Sequence, residues 1–277
     1  YKVKNINIQK QELNLGMFSN IKLNGVVRNL GLENVYVVGN TFVGSLAGEN
    51  KGTIESSFVT GTVSSSGQYP EKLGGLVGNN DGGTIQNSYF SGEINGRFTV
   101  GGIAGYNWHG GQIINSYSAG NMGAQKSTSR NGLSAGGLVG VSFDDSSKII
   151  DSFSAITIDY AGVGDYGAGG LIGTYDKGTV INSYHASEYC IASKCGGGEC
   201  DSVNIGGCVK VDSKDYFKNE TNQPFAEWDF NNIWESTEDS YPILKWQVEP
   251  EVLAENYIPL LSSGSSGGGS GGGSGVR

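Results

Sequence analysis

The sequence predicts an all-β protein, a right-handed parallel β-solenoid of about six coils with an aromatic C-terminal cap. Three observations support this fold class. The chain has 47 glycines but only 5 prolines, one sequence unit recurs along its length, and residues inside that unit alternate with a period of two. Glycine allows sharp bends between strands, and the scarcity of proline leaves the backbone donors that a β ladder requires.

The repeated unit reads Gly-Gly-Leu-Val-Gly, a short polar turn, Gly-Thr-Ile-x-Asn-Ser-Tyr and then a strand of small residues. Full copies begin at Gly74, Gly101, Gly136 and Gly169, and weaker copies begin at Leu15 and Gly44. Successive starting positions are 29, 30, 27, 35 and 33 residues apart. This period suits one coil of a solenoid.

Alternation within each unit predicts which side chains face the core. In the copy that begins at Gly74, we expect Ile85, Asn87 and Tyr89 to point inward. Equivalent side chains of successive coils would then stack about 4.8 Å apart as ladders. A second aliphatic column is expected at Met17, Leu46, Leu76, Ile103, Leu138 and Leu171.

A column of asparagines predicts one corner of every coil. The column consists of Asn29, Asn87, Asn115 and Asn182, and is interrupted by Ser56 and Asp151. We expect each amide to donate a hydrogen bond to the coil on one side and to accept one from the other, because an unpaired buried backbone group costs about 1–3 kcal/mol.

The repeated units from Leu15 to Tyr184 resemble the GLUG motif. The resemblance implies the non-catalytic repeat region of a large bacterial or archaeal surface protein, such as a filamentous adhesin or some immunoglobulin A peptidases. The segment Phe217–Trp246, rich in tryptophan, resembles the aromatic segment that closes such arrays, and an exposed solenoid end requires a cap. We therefore divide the chain into a solenoid at 1–261, which includes a cysteine-rich insertion at 187–208 and the cap at 209–247, and a Gly/Ser linker or tag at 262–277.

Four cysteines lie in the insertion: Cys190, Cys195, Cys200 and Cys208. An even, clustered set in a secreted protein predicts two disulfides, with three possible connectivities. Zinc binding is an alternative, although the C-x2-C spacing of structural zinc sites is missing.

Other motifs predict no catalytic group, metal or cofactor. The segment Gly162–Gly167 matches G-x-G-x-x-G, but the next repeat follows it instead of the helix that a phosphate site requires, so it is interpreted as a turn. The two histidines, His109 in a turn and His185 at an outward strand position, lack the companions of a catalytic triad and are expected on the surface.

Carboxylates are the remaining candidates for chemistry, because parallel β-helices also include polysaccharide lyases and hydrolases. The candidates are Asp144, Asp145, Asp159, Asp165 and Asp176, and all are expected in solvated turns. Calcium binding through Asp81, Asp144, Asp145 or Asp176 is a further alternative, although the G-G-x-G-x-D repeat that would support it is absent.

Charge and hydropathy exclude two classes of partner. The formal net charge of −9 argues against nucleic acid, whose phosphates require clustered Lys and Arg. The chain has no apolar run of the roughly 20 residues that a membrane-spanning helix needs. We expect a secreted or cell-surface segment of a longer chain.

Length variation between copies indicates where a ligand would bind. Four excursions are expected to emerge along one edge of the solenoid: Ser64–Lys72, Gly123–Ser134, Asp159–Ala168 and Ser187–Cys208. The predicted ligand-binding rim consists of Tyr69, Arg130, Tyr160, Tyr166 and Tyr189. The predicted function is adhesion to a protein or glycan on a host or neighbouring cell; a passive stalk and a β-helical carbohydrate-active enzyme are the alternatives.

Overall fold

The structure is a computed structural model that describes residues 1–66, 71–124, 134–160, 167–186, 208–211, 216, 219, 221–222, 225–237 and 240–248. Nearly all regular structure in these ranges is β-strand, and successive strands wind into stacked coils. The predicted β-solenoid is therefore confirmed. Within the same ranges, no helix has the length and apolar character needed to cross a membrane.

Each coil contributes one strand to each of four parallel sheets, numbered 1 to 4 in the order in which a coil visits them. Sheet 1 contains β3 (Asn14–Leu15), β7 (Phe42–Gly44), β11 (Lys72–Gly74), β15 (Thr99–Gly101), β19 (Ser134–Gly136) and β23 (Ala168–Gly169). Sheet 2 contains β4 (Phe18–Ile21), β8 (Ala47–Asn50), β12 (Val77–Asp81), β16 (Ala104–Trp108), β20 (Val139–Ser142) and β24 (Ile172–Tyr175). Sheet 3 contains β5 (Val26–Arg28), β9 (Thr53–Glu55), β13 (Thr84–Gln86), β17 (Gln112–Ile114), β21 (Lys148–Ile150) and β25 (Thr179–Ile181).

Sheet 4 is longer and has nine strands. Its strands are β1 (Lys2–Lys4), β2 (Asn7–Gln9), β6 (Gly31–Gly39), β10 (Phe58–Ser65), β14 (Tyr89–Gly96), β18 (Tyr117–Ala124), β22 (Phe153–Tyr160), β26 (Ser183–Ala186) and β27 (Cys208–Val211). A small antiparallel pair, β28 (Trp234–Glu235) and β29 (Ile243–Leu244), and two short 3-10 helices, Phe225–Glu227 and Lys245–Gln247, follow the solenoid.

The interior is built from columns of identical positions. Ile85 pairs with Ile54 on one side and with Ile113 on the other, and all three side chains are fully buried. The second aliphatic column is also buried from Leu46 onward, as expected. Met17 is the exception, because it lies in the first coil and its side chain is 41% exposed.

The asparagine column marks a corner at which the backbone adopts the left-handed conformation. The corner residues have φ between 44° and 54° and are Asn29, Ser56, Asn87, Asn115, Asp151 and Asn182. Asn tolerates this conformation better than most residues with a side chain, because its short polar group can bond locally. The column therefore does predict the corner.

The left-handed residue breaks the alternation, and the prediction that Asn87 and Tyr89 face inward with Ile85 is wrong. After the corner, Phe90 lies in the core, whereas Tyr89 belongs to a separate aromatic cluster on the outer face of sheet 4. The expected surface position of His185 is wrong for the same reason: it pairs with Ser154 on the inward side and is 3% exposed.

Serines join successive coils at this corner, and the corner column itself contributes the bond from Nδ2 of Asn182 to Oδ1 of Asp151 at 3.1 Å. The Ser88 backbone N–H donates to Oγ of Ser116 at 3.2 Å, and Ser57 N–H donates to Oγ of Ser88 at 3.1 Å. A buried amide ladder does exist, but at the end of sheet 2, where Nδ2 of Asn50 donates to Asn80 and Nδ2 of Asn80 donates to Asn107, both at 2.8 Å. The buried amide ladder is therefore made of asparagines, as expected, but not of those in the predicted corner column.

The second glycine of each Gly-Gly pair is required by close approach between opposite walls of a coil. A Cβ atom on Gly75 would lie 2.3 Å from the ring of Phe90, and one on Gly137 would lie 2.2 Å from Oγ of Ser154. Any side chain at these positions would force the walls apart.

The corner conformation gives a test of the fold. Because a β-branched residue is strained in the left-handed region, Asn115→Val should lower the free energy of unfolding by about 1–3 kcal/mol, measured by urea denaturation. Asn115→Gly is the matched control and should have little effect, since glycine adopts positive φ without steric cost. Equal loss in both variants would show that the Asn115 side chain, not its backbone conformation, is what matters.

Candidate functional site

The outer face of sheet 4 carries a continuous stack of five aromatic rings, one from each coil after the first, which has Gly31 at this position. Ring centroids are 5.1 Å apart for Phe58–Tyr89, 4.8 Å for Tyr89–Tyr117, 4.9 Å for Tyr117–Phe153 and 5.9 Å for Phe153–Tyr184. The first three pairs are within 8° of parallel. The predicted aromatic ladder is thus present, but outside the solenoid.

The C-terminal strap, defined as residues 225–237 and 240–248, covers this ladder. Its tryptophans pack at successive heights along it: Trp228 on Tyr184 at 4.9 Å, Trp234 near Phe153 at 5.9 Å and Trp246 near Tyr89 at 5.8 Å. The aromatic cap predicted from the sequence exists, but it lies along the side of the solenoid instead of over an end. The aromatic ladder requires this cover, because its stacked rings form a contiguous apolar strip on the outer face of sheet 4.

Hydrogen bonds fix the strap in register with the coils. Nε1 of Trp228 donates to the Asn182 carbonyl at 2.8 Å, and Nε1 of Trp246 donates to the Asn87 carbonyl at 3.0 Å, so both indoles bond to corner residues. Nε2 of Gln247 donates to the Tyr117 hydroxyl at 3.0 Å. Burial raises the pKa of Tyr89 to about 12 and that of Tyr117 further, so both phenols are neutral near pH 7.

Two clefts lie between the strap and the solenoid. One, of about 370 Å³, is lined by the amides of Asn87, Asn231 and Asn232 together with Lys245 and Trp246. The other, of about 310 Å³, is lined by edges of the aromatic ladder and by the strap turn at 240–243. Both sizes lie at the lower end of the roughly 300–1,000 Å³ that is typical of small-molecule sites. The first cleft combines an aromatic ring with amide and ammonium donors, which suits a small polar ligand.

Trp234 is fully buried, and its indole N–H has no hydrogen-bond partner in the described part of the chain. Trp234→Ala should therefore remove about 3–5 kcal/mol of packing free energy and release the strap, detected as new protease cleavage in residues 225–248 while the far-UV circular dichroism of the solenoid persists. Trp234→Phe is the control: it keeps an aromatic ring, loses no hydrogen bond and should protect the strap. If the alanine variant resists protease as the parent does, Trp234 does not hold the strap.

Three of the predicted excursions are bounded by the same two elements, a sheet 4 strand before and a sheet 1 strand after. Gly96 pairs with Ala124 and Ala124 with Tyr160 where the sheet 4 strands end, and Lys72, Thr99 and Ser134 pair where the sheet 1 strands begin. The connections at 67–70, 125–133 and 161–166 thus start and finish at equivalent positions of successive coils. This confirms one shared edge for three of the four predicted excursions.

The fourth excursion leaves from a different point. Ser187–Cys208 begins after β26, whose last residue, Ala186, corresponds to Ala155 near the start of β22, and it returns as the adjacent strand β27 of the same sheet. The prediction that all four emerge together is therefore wrong for Ser187–Cys208, because strand β26 is shorter than the equivalent strand β22 of the coil before it.

Glu71 is a buried carboxyl group at the end of the 67–70 connection, and its hydrogen bonds hold the shared edge in place. Its side chain is almost fully buried; Oε1 accepts hydrogen bonds from the backbone N–H groups of Arg97 and Phe98, and Oε2 accepts one from the Ser65 hydroxyl at 2.7 Å. These bonds tie both ends of the 67–70 connection to the turn of the next coil. Burial raises the pKa of the Glu71 carboxyl, against the opposing effect of its hydrogen bonds.

A raised pKa in the folded state means that ionisation of Glu71 destabilises the fold as pH rises through that pKa. The free energy of unfolding of the parent should therefore fall above about pH 4.5 relative to Glu71→Gln, which cannot ionise but keeps an acceptor for Arg97 and Phe98. Denaturant titration from pH 3 to pH 8 measures this difference. Glu71→Ala should be less stable by about 1–3 kcal/mol for each unpaired N–H, at every pH. A parent that gains stability over Glu71→Gln as pH rises would contradict the assignment.

Most of the predicted site residues cannot be compared with the structure. Tyr69, Arg130, Tyr166, Tyr189, Cys190, Cys195 and Cys200 lie outside the described residues, as does most of the Gly162–Gly167 turn with Asp165. Tyr160 is the last residue of β22 and Cys208 is the first of β27. The ligand-binding rim, the two disulfides and the zinc alternative therefore stay predictions.

The described carboxylates are engaged in local structure. Oδ1 of Asp81 lies 2.5 Å from Nδ1 of the exposed His109, and Oδ2 lies 2.8 Å from Nζ of Lys51. Partial burial alone would raise the pKa of Asp144, but hydrogen bonds from Ser146 and Ser147 outweigh it and lower the pKa to about 2. Asp159 was expected in a turn but lies on β22.

The described residues contain no group of three or more His, Cys, Asp or Glu side chains that could hold a metal ion. Asp145 is paired with Lys177, whose Nζ is 3.4 Å away, and Asp144 binds its own turn. Asp144 and Asp145 thus lie in turns and are engaged there by a hydrogen bond and an ion pair, as expected of turn residues.

Sequence reasoning missed an aromatic group on the outer side of sheet 2. Tyr106 contacts Trp108 and Phe143 edge-on, with centroids 5.7 Å and 5.4 Å apart, and Nζ of Lys72 lies 4.3 Å from the ring centre of Phe42 and 4.6 Å from that of Tyr106. The signal was available, since β16 places Tyr106 and Trp108 two residues apart and therefore on one face.

Comparison with known proteins agrees with this architecture. The family model described as "The GLUG motif" matches residues 71–95. Halomucin from Haloquadratum walsbyi (strain DSM 16790 / HBSQ001) is 38% identical over 77 residues, which are 27% of this chain and only 1% of halomucin. A crystal structure from Bacteroides ovatus, described as that of a candidate immunoglobulin A1 protease, has a TM-score of 0.61 at 22% identity, over 89% of this chain and 75% of that chain.

Stacked coils with in-register ladders define a β-solenoid repeat protein, and the likeness to the Bacteroides ovatus structure supports that fold. Within this class, residues 71–95 match the GLUG motif, which confirms the predicted resemblance of the chain to GLUG-motif repeat proteins. The residues matched by the family model run from Glu71 through β11, β12 and β13 into β14, which is one complete coil.

Proposed function

We propose that the chain is an extracellular, non-catalytic adhesion module that binds a protein or glycan on a host or neighbouring cell. The observation that carries this proposal is the shared edge, where connections from three coils start and finish at equivalent positions of successive coils on a rigid scaffold. Loops held by a rigid framework are the usual place for recognition. The GLUG motif and the partial similarity to halomucin favour a cell-surface or secreted location.

The predicted rim residues supply suitable chemistry for such an edge. Tyr69, Arg130 and Tyr166 lie in the three connections, and Tyr160 ends the strand before the last of them. Tyrosine and arginine offer large contact areas with hydrogen-bonding ends and are enriched where binding energy is concentrated. Tyr189 belongs to the excursion that leaves elsewhere, so it is not included in the proposed rim.

Replacement of Tyr69, Arg130 and Tyr166 by alanine in one chain should weaken binding at least about tenfold, the equivalent of 1.4 kcal/mol. Binding is measured on a glycan array and on an array of host surface proteins. The matched control replaces Tyr1, Arg28 and Tyr36, which are also two exposed tyrosines and one exposed arginine, and it should bind as the parent does.

Three outcomes would overturn the proposal. Unchanged binding by the rim variant removes the rim. Absence of binding by the parent on both arrays supports a passive stalk. Release of products from acidic polysaccharides, abolished by changing a turn aspartate, supports an enzyme.

A further inference from the structure

The two ends of the solenoid differ in how well the core is covered. Eight of the eleven exposed large apolar side chains in the described part of the chain lie within residues 1–36. At the other end, Leu171, Ile172 and Val180 are 0%, 4% and 3% exposed. The open surface is therefore confined to the first coil.

This open surface is a cross-section of the core. Phe18 occupies the sheet 2 column whose next members, Ala47 and Val77, are fully buried, yet Phe18 is 37% exposed. Met17, the terminal member of the aliphatic column, is 41% exposed, whereas Leu46 is fully buried. Both side chains occupy core positions and lack a neighbouring coil on one side.

In the first complete coil, the outer edge of the backbone is unpaired in sheets 1, 2 and 3 but paired in sheet 4, within the residues that the structure describes. Strands β3, β4 and β5 end sheets 1, 2 and 3, so each has a partner on one side only, whereas the outer side of β6 is paired with β1 and β2. Unpaired strand edges are templates for further strand pairing.

Strands β1 and β2 reproduce the sheet 4 strand of a coil. Lys2 pairs with Gly31, and Gly31 pairs with Phe58, so all three occupy the same position in successive coils. Asn5 has φ 58° and Asn34 has φ 55°, and Nδ2 of Asn34 donates to Oδ1 of Asn5 at 2.7 Å. The left-handed residue that interrupts β6 at Asn34 therefore has an equivalent at Asn5, between β1 and β2. Residues 2–9 form the fourth strand of one further coil.

We propose that the open end seats the other three strands of this further coil, joined directly to Tyr1. The occupant is a GLUG-type segment with an apolar inward face and three short parallel strands that pair with β3, β4 and β5. It would cover Met17 and Phe18 just as Leu46 and Ala47 are covered by the coil beyond them. This inference does not depend on the proposed ligand or on the rim.

A graft supplies the occupant in register. Residues 42–56 carry the strands of sheets 1, 2 and 3 with the corner residue Ser56, and Ser57 corresponds to Leu30 and Tyr1. A second copy of residues 42–56 is therefore placed directly before Tyr1 in the full chain. The control graft carries V43D, L46D and I54D in the added copy only, because these are its inward positions.

The seated graft should raise the thermal midpoint by about 4 °C or more, lower the fluorescence of the apolar dye anilinonaphthalene sulfonate, and protect amides of β3, β4 and β5 from hydrogen exchange. The control graft should do none of these. In the ungrafted chain, M17Q with F18T should also lower dye fluorescence and leave the midpoint nearly unchanged, because both side chains are already exposed.

Two results would overturn the proposal. Identical behaviour of the two grafts would show that the end does not recognise a coil. A stable dimer of the ungrafted chain by light scattering, dissociated by M17Q with F18T, would show that a second copy is the occupant instead.

Discussion

The left-handed residue between sheets 3 and 4 determines how the rest of each coil is arranged. It turns the chain by a sharp corner and also changes which side of the strand faces the core, so Ile85 lies inside and Tyr89 outside. The same corner recurs in six units, and in the five units from Ser56 to Asn182 it aligns the rings that follow it into the outer ladder. Without it, alternation would continue through the Asn-Ser-Tyr segment, and the aromatic side chains would have to fit inside a coil whose walls already approach within contact distance at Gly75.

The second core follows from this arrangement. A ladder of five aromatic rings on the outside of sheet 4 cannot remain in water at low cost, and the C-terminal strap covers it with Trp228, Trp234 and Trp246. The indole N–H groups of Trp228 and Trp246 bond to carbonyls at the corner itself, so the same residues that make the turn also receive the strap. The strap therefore holds several coils together along one side of the solenoid. The two clefts lie between the strap and the coils that it crosses.

The repeat architecture separates the parts of the molecule that carry stability from those that vary. Coil walls are fixed by in-register pairing, whereas the connections between sheets 4 and 1 change in length without disturbing the columns. Glu71 shows how such a connection is held: a buried carboxyl ties its base to the adjacent coil. The outer aromatic group around Tyr106 and the clefts beside the strap are additional surfaces with polar and aromatic groups in fixed positions.

The sequence by itself determined the solenoid, the aliphatic columns from Leu46 onward, the position of the corner and one edge for three excursions, because each of these repeats in the chain with a regular period. Tertiary structure alone decided the direction of Tyr89 and His185, the side-on position of the strap and the exposure of Met17. The physical reason is that period-two alternation assumes an uninterrupted strand, and a single residue with positive φ reverses it. Similarly, the burial of a side chain depends on whether another coil or segment packs on it, which no local pattern of residues contains.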